Sequence, residues 1–541
     1  MPYTAHVDTF ARKNLPPKNQ WPEFLFELPE LQYPARMNCA AELLDGMVDA
    51  GHGERPVIHT LIDGRRYSCT YRQLMVRSNQ IAHVIRKDMG LVPGTRVLLR
   101  GPNNPEMAAC WFGVIKSGCI AVATMPLLRA KELKQIIDKA RVSAALCDYR
   151  LAEEMELARS QCGDMQQVLY FNSGRRGSLD DLLEFHPAEF ENVDTAADDV
   201  ALIAFTSGTT GQPKGTMHFH RDVLAMCDCW PRSCLKPGKR DIFCGTPPIA
   251  FTFGLGGMLC FPMRFGASTV FIERLTPELL LQTIQDFRAT ICFTAPTFYR
   301  QMAGLARNYE LRSLKKCVSA GEALPDATRQ LFKQASGIEI IDGLGSTEMI
   351  HMFVSHTVER VRRGATGYAI PGYRATVLDE SGKPCPPGVV GRLAVKGPTG
   401  CRYLADERQK NYVERGWNIT GDAYSMDEDG YFYYQARTDD MIISAGYNIA
   451  GPEVEAALLG HEAVAECGVV GIADEERGQI VKAFVILKPG YTANEPMARA
   501  LQDFVKAAIA PYKYPRKIEF VESLPRTETG KLQRFKLRQQ G

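Results

Sequence analysis

Residues 201–215 read ALIAFTSGTTGQPKG, an apolar run followed by glycines, hydroxyl side chains and Lys214. The apolar run predicts a buried strand. The following stretch, 206–215, offers backbone N–H groups, hydroxyls and one mobile positive charge, which together suit a polyphosphate. It is not a Walker loop, because Lys214 is preceded by Pro213 and followed by Gly215. A glycine-rich surface loop without a ligand is the alternative.

The composition is that of an ordinary globular protein, and it narrows the classes of function. The chain has 541 residues, a net charge of +2 and 45% hydrophobic residues, so we expect several structural units rather than one core. The near-neutral charge favours neither nucleic acid nor an anionic membrane as a partner. The sixteen cysteines include no C-x-x-C pair, and the N-terminus lacks an apolar segment. We therefore expect free thiols and a cytoplasmic location.

Short apolar runs alternate with helical patterns on both sides of the loop. Such alternation predicts mainly parallel sheets with helices on their faces, and ligands bind these sheets at the carboxyl ends of the strands. The predicted fold class is therefore α/β, with a large N-terminal domain built on two such sheets. The predicted strands lie at 96–99, 120–124, 144–147 and 168–171 before the loop, and at 268–272, 290–294, 317–319 and 338–341 after it.

The pattern changes to short antiparallel strands after residue 373. Turns rich in Asp, Gly and Pro separate these strands and indicate a small β-barrel subdomain at about 373–436. Within it, the segment WNITGD is predicted to place Asp422 on a turn. The predicted strands lie at 373–378, 391–396 and 430–435.

The last part of the chain has a β-α-β-β-α pattern. It predicts a small α+β domain of its own, which we expect to be mobile. The chain is therefore divided into an N-terminal domain, 1–438, and a C-terminal domain, 439–541.

A second glycine-rich turn, DGLGSTE at 342–348, follows a predicted strand. It carries Thr347 and Glu348, and a hydroxyl beside a carboxylate near a polyphosphate suits Mg²⁺, which takes oxygen ligands. By itself this turn is weak evidence.

Two more segments admit both a functional and a structural interpretation. Residues 244–257, CGTPPIAFTFGLGG, could set aromatic rings against a ligand pocket or could form a buried turn of the core. His218 and His220, predicted to open a helix, could bind a metal ion, but a histidine packed against the loop is the interpretation we favour.

These motifs together resemble the adenylate-forming superfamily, which includes acyl- and aryl-CoA synthetases, luciferases and adenylation domains. The resemblance extends over essentially the whole chain, with Ala436 where the family usually has glycine. Within the superfamily the chain is similar to benzoate- and 2-aminobenzoate-CoA ligases, most clearly in GSTEMIHMF, YKYPRK and QRFKLRQQG. Five segments carry the resemblance, in the family's order: TSGTTGQPKG (206–215), DGLGSTE (342–348), WNITGD (417–422), ARTDD with SAGYNI (436–449) and PRTETGKLQR (525–534).

The resemblance implies that ATP activates an aromatic carboxylate as an acyl-AMP, which then passes to coenzyme A. It implies ATP, Mg²⁺ and coenzyme A as cofactors, with Lys531 stabilising the charge that develops between the carboxylate and the α-phosphate. It also implies that Thr347 contacts the α-phosphate, that Glu348 binds Mg²⁺, that Asp439 is the hinge between the domains and that Gly446 leaves room for the pantetheine arm. The other residues implied to bind ATP are Thr206, Ser207, Gly208, Thr209, Thr210, Gly211 and Lys214 at the phosphates, Gly321, Glu322 and Ala323 at the adenine, Asp422 and Arg437 at the ribose, and Asp342 and Gly343, which are assigned to no one part of the nucleotide.

The resemblance also implies a small apolar slot for a flat ring. Leu344 stands where many relatives have an aromatic residue, and Ile443 where some benzoate-type relatives have lysine, so neither adenine stacking nor a regulatory acylation site is carried over. His351 could hydrogen-bond an ortho-amino or hydroxyl group, or it could be a packed histidine. The slot is predicted from Phe251, Phe253, Gly254, Leu344, Met349, Ile350 and His351.

The leading prediction is therefore a 2-aminobenzoate-CoA ligase with small-molecule partners only, and a homodimer is left open. Benzoate- or salicylate-CoA ligase, and an aryl-AMP ligase that loads a separate carrier protein, are the alternatives within the same fold. A non-catalytic nucleotide-binding protein is the alternative from another class, and Glu348, Asp422 and Lys531 argue against it.

Overall fold

The structure is a computed structural model that describes residues 3–206, 213–437, 440–444, 447–474, 477–509, 511–526 and 531–540. Within these parts of the chain, no helix combines the length and the apolar character needed to cross a membrane. All sixteen cysteines carry free thiols, as expected.

The first sheet is formed by the strands predicted upstream of the glycine-rich loop. Its strand order is β6-β5-β3-β4-β7-β8, and its neighbours are parallel except for the hairpin β7–β8. The elements up to residue 228 are the strands β1 (Pro56–Ile62), β2 (Arg65–Thr70), β3 (Arg96–Arg100), β4 (Ile120–Thr124), β5 (Ala144–Asp148), β6 (Gln167–Phe171), β7 (Val200–Thr206) and β8 (Lys214–Phe219), and the helices α1 (Phe10–Lys13), α2 (Tyr71–His83), α3 (Pro105–Lys116), α4 (Ala130–Ala140), α5 (Ala152–Arg159), α6 (Leu179–Leu183) and α7 (His220–Asp228).

Strand β8 corrects the prediction that His218 opens a helix. His218 lies on β8, and the helix α7 begins only at His220. The segment is a strand because it pairs with β7 on one edge and with residues 402–404 on the other. The second partner is distant in sequence, so local composition could not indicate this strand.

The second sheet contains the strands predicted after the loop and is extended by the hairpin β1–β2. The path runs β13-β12-β11-β9-β10-β1-β2, and each neighbouring pair in it is parallel except β1–β2. The elements from residue 242 to 345 are the strands β9 (Ile242–Gly245), β10 (Ser268–Phe271), β11 (Ile291–Thr294), β12 (Lys316–Ser319) and β13 (Ile340–Gly345), and the helices α8 (Thr252–Gly254), α9 (Phe261–Arg264), α10 (Pro277–Phe287), α11 (Pro296–Leu305) and α12 (Asp326–Ser336), with a π-helical turn Leu255–Cys260 between α8 and α9.

Helix α11 was missed from the sequence, which predicted only the strand at 290–294 before it. Pro296 is the first residue of the helix, a position where its fixed φ fits and its missing N–H costs nothing. One apolar core joins residues of both sheets, including Val97 of β3, Phe112 of α3 and Phe293 of β11.

The predicted β subdomain continues the second sheet through antiparallel strands. Strand β13 pairs parallel to β12 and antiparallel to the first of these strands, Met352–Ser355. The prediction that Asp422 lies on a turn is wrong, because Asp422 lies inside the strand Trp417–Met426; Gly421 beside it has φ +78°. The elements are β14 (Met352–Ser355), β15 (Gly367–Ala369), β16 (Arg374–Leu378), β17 (Gly391–Lys396), β18 (Val413–Glu414), β19 (Trp417–Met426), β20 (Tyr431–Arg437) and the helix α13 (Gln409–Tyr412).

The C-terminal domain has a sheet of its own, in the order β23-β24-β25, and a separate core that includes Val454, Leu458 and Val505. This confirms a small α+β unit, whereas the predicted boundary at 438 and 439 lies outside the described residues. Its elements are β21 (Ile442–Ser444), β22 (Tyr447–Ile449), β23 (Val464–Asp474), β24 (Gly478–Leu487), β25 (Lys517–Phe520), α14 (Gly451–Leu459), α15 (Glu495–Ala508) and α16 (Arg534–Gln539).

Candidate active site

The hairpin β7–β8 carries Thr206 and Lys214 opposite each other, at the two ends of the glycine-rich loop. Residues 402–404 lie along the other edge of β8, where the N–H of Leu404 donates to the carbonyl of Gly215 at 2.8 Å. This pairing fixes Tyr403 beside the loop, with Lys214 Nζ 5.3 Å from the centre of its ring. Two segments far apart in sequence are thereby held next to the place where a polyphosphate is predicted.

Glu348 is a buried carboxylate at the end of the DGLGSTE turn. The Tyr403 hydroxyl donates to Glu348 Oε1 at 2.5 Å. Burial, together with the charge of Glu348, raises the pKa of Tyr403 far above its ordinary value, so this hydroxyl keeps its proton. No Lys or Arg ion pair reaches Glu348 among the residues that the structure describes. A buried carboxylate that lacks a cationic partner suits a hard metal ion.

Glu348 does not need further protein carboxylates to bind such an ion. The described residues contain no group of three or more His, Cys, Asp or Glu side chains that could hold a metal. Mg²⁺ bound through phosphates and water needs only one or two protein carboxylates, so Glu348 alone fits this mode of binding.

The turn that carries Thr347 is anchored by a buried charged network. His218 Nε2 lies 2.8 Å from the carbonyl oxygen of Thr347 and donates to it in the matching tautomer. Behind His218, the buried side chains of Asp222 and Arg402 form an ion pair. His218 is therefore a packed histidine, and its contact is with the turn that carries Thr347, whose backbone it holds in place.

Asp422 and Arg437 face each other across β19 and β20. Arg437 Nη1 donates to Asp422 Oδ1 at 3.0 Å. Burial raises the pKa of Asp422, and the charge of Arg437 acts in the opposite direction. A side chain at Gly421 would place its Cβ 2.9 Å from Arg437 Nη2, so glycine leaves room for this pair. The two residues predicted to bind the ribose are thus brought together.

Asp342, predicted to bind the nucleotide, is buried on β13. Burial raises its pKa to about 7, so its carboxyl titrates near neutral pH. The adjacent Gly343 is packed against Met352, whose Sδ would lie 2.3 Å from a Cβ at that position. Leu344 is half-buried and packs on the main core.

Lys531 of the C-terminal domain lies beside the predicted adenine segment of the N-terminal domain. Its Cε is 3.8 Å from the position that a Cβ on Gly321 would occupy. Burial raises the pKa of the next residue, Glu322, against the opposing charges of Arg526 and Lys531. Ala323 is exposed at the end of this segment. The structure therefore brings the predicted catalytic lysine to the predicted nucleotide site.

We call Lys214, Glu348, Tyr403, Tyr412, Asp422 and Arg437 the polar side of the site. Tyr412 belongs to it because its hydroxyl lies 3.3 Å from Ser346 Oγ, in the turn that leads to Glu348.

The aromatic side consists of Trp230, Phe253, Phe261, Phe293 and His351. The His351 ring centre lies 4.5 Å from Phe261, 5.7 Å from Trp230 and 5.8 Å from Phe253. Burial lowers the pKa of His351 to about 3, so the ring is neutral at physiological pH. Neither ring nitrogen of His351, nor Trp230 Nε1, has a hydrogen-bond partner among the described residues. Buried polar atoms without partners are costly, and here they face an aromatic enclosure.

The acyl slot is predicted from two segments, 251–254 and 344–351. They contact each other through the rings of Phe253 and His351. Gly254 has no room for a side chain, because a Cβ there would lie 2.0 Å from the carbonyl oxygen of Pro248. Met349 and Ile350 are fully buried, and Ile350 has φ +63°, a strained conformation for a β-branched residue. Phe251 lines a small cavity between its own segment and the first sheet, together with Trp111, Ile203 and Thr252.

Seven predicted site residues cannot be placed, because they lie outside the described residues: Ser207, Gly208, Thr209, Thr210, Gly211, Asp439 and Gly446.

Several residues of the site were missed from the sequence. Tyr403 and Trp230 lie in no motif that we singled out, and Phe261 and Phe293 read as ordinary core residues. The only local signal was the aromatic composition of 244–257, which pointed to rings beside a ligand but not to their partners.

Comparisons with known proteins are consistent with this geometry. The model of the AMP-binding enzyme family matches residues 48–403, and that of the AMP-binding enzyme C-terminal domain matches 453–531. A benzoate–CoA ligase of Thauera aromatica is 35% identical over 517 residues, which are 94% of this chain and 97% of that protein.

Two solved structures are similar over nearly the whole chain. An anthranilate CoA ligase in complex with anthranoyl-AMP has a TM-score of 0.89 and 33% identity, covering 95% of this chain and 99% of that one. A benzoate CoA ligase from Burkholderia xenovorans LB400 has a TM-score of 0.84 and 30% identity, covering 93% of this chain and 100% of that one.

Proposed function

The chain belongs to the AMP-binding enzyme family and is an AMP-forming acid–thiol ligase, and we propose that it joins a benzoate-class acid to coenzyme A. The acid would first react with ATP to give an aryl-AMP and pyrophosphate. The thiol of coenzyme A would then displace AMP to give the thioester. Our best candidate for the acid is 2-aminobenzoate.

The described residues supply the parts that the first step needs. Lys531 would stabilise the negative charge that builds up between the attacking carboxylate and the α-phosphate. Thr347, whose carbonyl is held by His218, would position the α-phosphate. Asp422 would accept hydrogen bonds from the ribose hydroxyls, with Arg437 keeping its carboxylate oriented. Lys214 and Thr206 would hold the outer phosphates from the two ends of the loop.

Glu348 would hold Mg²⁺, which would neutralise phosphate charge when bound. Tyr403 fixes the orientation of this carboxylate and occupies one of its oxygens, leaving the other for the ion. The remaining ligands would come from phosphates and water.

The aromatic side carries the proposal for the acid. Four aromatic rings and the neutral His351 form an enclosure that suits a flat ring. His351 offers an acceptor nitrogen without a partner among the described residues, and an ortho-amino group is a donor that would satisfy it. The names of two similar proteins, an anthranilate CoA ligase and a benzoate CoA ligase, agree with this class. Salicylate, which also carries an ortho donor, and benzoate are the alternatives.

Incubation of the protein with ATP, Mg²⁺, coenzyme A and a panel of benzoates tests this proposal. We expect AMP release that depends on both the acid and coenzyme A, with the highest kcat/KM for 2-aminobenzoate. Aryl-AMP formation without turnover of coenzyme A would favour the alternative, an aryl-AMP ligase that loads a separate carrier protein. Turnover of fatty acids without turnover of any benzoate would show that the substrate is not an aryl acid.

Replacing Lys531 separates the two half-reactions. We expect Lys531→Ala to slow aryl-AMP formation by about 100-fold or more, because one electrostatic contact to a developing charge is lost. Thioester formation from supplied aryl-AMP should remain, since the C-terminal domain is then expected to have rotated. Lys536→Ala, at an exposed position of α16, is the matched control. Equal loss of both steps in Lys531→Ala would contradict the two-orientation scheme.

The remaining expectations are part of the same proposal. Asp439 would be the hinge, Gly446 would leave space for the pantetheine arm, and the domains would meet near residue 438. We also propose a cytoplasmic location, where ATP and coenzyme A are available, and leave the homodimer to a measurement of mass by light scattering.

A further inference from the structure

The C-terminal domain contacts the N-terminal domain through four charged residues that the sequence did not single out together. These are Arg300 and Glu322 of the N-terminal domain and Glu466 and Arg526 of the C-terminal domain, and we call them the interdomain cluster. They lie near Lys531, whose charge acts on Glu322.

Arg300 of α11 binds an irregularity in strand β23. The pairing of β23 with β24 shifts by one residue between Val464 and Glu466, so Ala465 forms a bulge. Arg300 Nε donates to the carbonyl of Ala465 at 3.0 Å, and Nη2 donates to the carbonyl of Val464 at 3.2 Å. The bulge thus presents two carbonyl oxygens to one guanidinium group of the other domain.

The electrostatics of Arg300 depend on the C-terminal domain. Burial lowers its pKa, while the neighbouring Cys467 and Glu466 act in the opposite direction. A half-buried guanidinium needs acceptors, and the two carbonyls that accept from Arg300 both belong to the C-terminal domain. If that domain rotates, Arg300 and the two carbonyls must be hydrated or find new partners.

Arg526 makes the second connection across the interface. Its Nη2 lies 2.8 Å from Glu466 Oε2 in its own domain, and its Nη1 lies 3.5 Å from Glu322 Oε1 in the other. Glu322 is also held by the Thr297 hydroxyl, which donates to Oε2 at 3.3 Å. Both Thr297 and Arg300 lie on α11, so one helix supports both connections.

Arg526 is also linked to the segment that carries Lys531. Arg526 and Leu532 form an antiparallel bridge, and the N–H of Gln533 donates to the carbonyl of Pro525 at 2.8 Å. Fixing Arg526 on Glu322 therefore helps to fix Lys531 beside Gly321.

We propose that the interdomain cluster holds the C-terminal domain in the orientation for aryl-AMP formation, with Arg300 and Arg526 as positioning residues for Lys531. The inference rests on the proposed two-step function. It predicts that weakening the cluster slows the first half-reaction and leaves the second unharmed, because the second uses the other orientation.

The first test needs no substrate. Arg300→Gln and Arg300→Lys are compared with wild type by hydrogen–deuterium exchange, followed in peptides that cover 460–470. We expect faster exchange in these peptides of the C-terminal domain, although the substitution is in the N-terminal domain. Lysine keeps the positive charge but cannot donate from a planar group to two carbonyls at once. Exchange in Arg300→Lys should therefore be nearly as fast as in Arg300→Gln. Arg307→Gln, exposed just beyond α11, is the matched control.

The second test compares the two half-reactions in Arg300→Gln and Arg526→Gln. We expect aryl-AMP formation to fall about tenfold and thioester formation from supplied aryl-AMP to stay within about twofold. Unchanged exchange in 460–470, or an equal fall of both half-reactions, would overturn the role of the cluster. If wild type forms no aryl-AMP from any acid, the proposed function fails, whereas the exchange experiment still decides whether the cluster fixes the domain orientation.

Discussion

The polar side and the aromatic side of the site meet in one short stretch, Asp342 to His351, which carries Glu348 of the first and His351 of the second, yet their buried polar groups are partnered differently. On the polar side, Glu348 and Asp422 are buried with partners, Tyr403 and Arg437. On the aromatic side, His351 is buried with neither ring nitrogen hydrogen-bonded to a described residue. The change falls at Ile350, whose left-handed backbone turns the chain from one side to the other.

This difference agrees with the roles proposed for the two sides. Groups that would bind a constant ligand, ATP, can be oriented in advance by fixed partners, which lowers the cost of binding. A group that distinguishes one aromatic acid from another is useful when its partner is supplied by the ligand itself, because the wrong acid then leaves it unpaired.

The largest expected effect extends the comparison to Asp342, a buried carboxylate at the start of the stretch that leads to Glu348 and His351. Asp342 has its pKa raised by burial to about 7, above the 3.8 of an exposed group, so its ionisation destabilises the fold. The contribution is favourable while the group is protonated and is lost as pH rises from about 4 to about 7, by up to about 4 kcal/mol for a shift of this size. Asp342→Asn should therefore gain melting temperature relative to wild type between pH 5 and pH 7, and the gap should level off by pH 8.

The control for this measurement is Asp164→Asn, on an exposed turn. A gap between Asp342→Asn and wild type that stays constant from pH 5 to pH 8 would show that Asp342 is not buried as described.

The next effect tests whether the fixed partners of the polar side matter. Tyr403→Phe keeps the ring beside Lys214 but removes the hydroxyl that donates to Glu348. Because a hydrogen bond to a charged group is worth about 1.5–3 kcal/mol, we expect aryl-AMP formation to slow by about tenfold or more. The variant should also need more Mg²⁺ for half-maximal rate, measured by a magnesium titration.

Tyr412→Phe is the matched control, since its hydroxyl contacts Ser346 and not Glu348. A loss in Tyr403→Phe no larger than the loss in Tyr412→Phe would mean that Glu348 does not depend on this partner.

The smallest effect tests the unpaired group of the aromatic side. His351→Leu removes both ring nitrogens and replaces the ring by an apolar side chain of similar size. We expect the preference for 2-aminobenzoate over benzoate, as a ratio of kcat/KM values, to fall about tenfold, because one hydrogen bond to the substrate is lost. Phe261→Leu, next to His351, should lower both rates together. A preserved preference in His351→Leu would identify His351 as a packed histidine.

The main parts of the fold could be predicted because their signals are local. The apolar runs predicted as strands at 144–147 and 268–272 correspond to β5 and β10. The strand β8 and the helix α11 were missed, since the first depends on pairing with residues 402–404 and the second begins at a proline that reads as a break. The placement of Asp422 on a turn was wrong for a related reason, because neighbouring strands extend β19 through it.

The sequence by itself determined the chemistry of the polar side. Glycines, hydroxyls, Glu348, Asp422 and Lys531 occur in short motifs, and the order of these motifs implies a nucleotide-dependent reaction. Motifs of this kind can be recognised in a sequence, because a few neighbouring residues fix both the backbone conformation and the side-chain chemistry.

Only the tertiary structure decided which groups surround those motifs. Tyr403 reaches Glu348, the rings of Trp230 and Phe261 close on His351, and Arg300 reaches the bulge at Ala465. Each contact joins segments that are distant in the chain, and each depends on burial, which no local window of sequence contains. Burial sets the pKa of Asp342 and leaves His351 neutral and unpaired within the described structure, so packing determines the environment in which the motifs act.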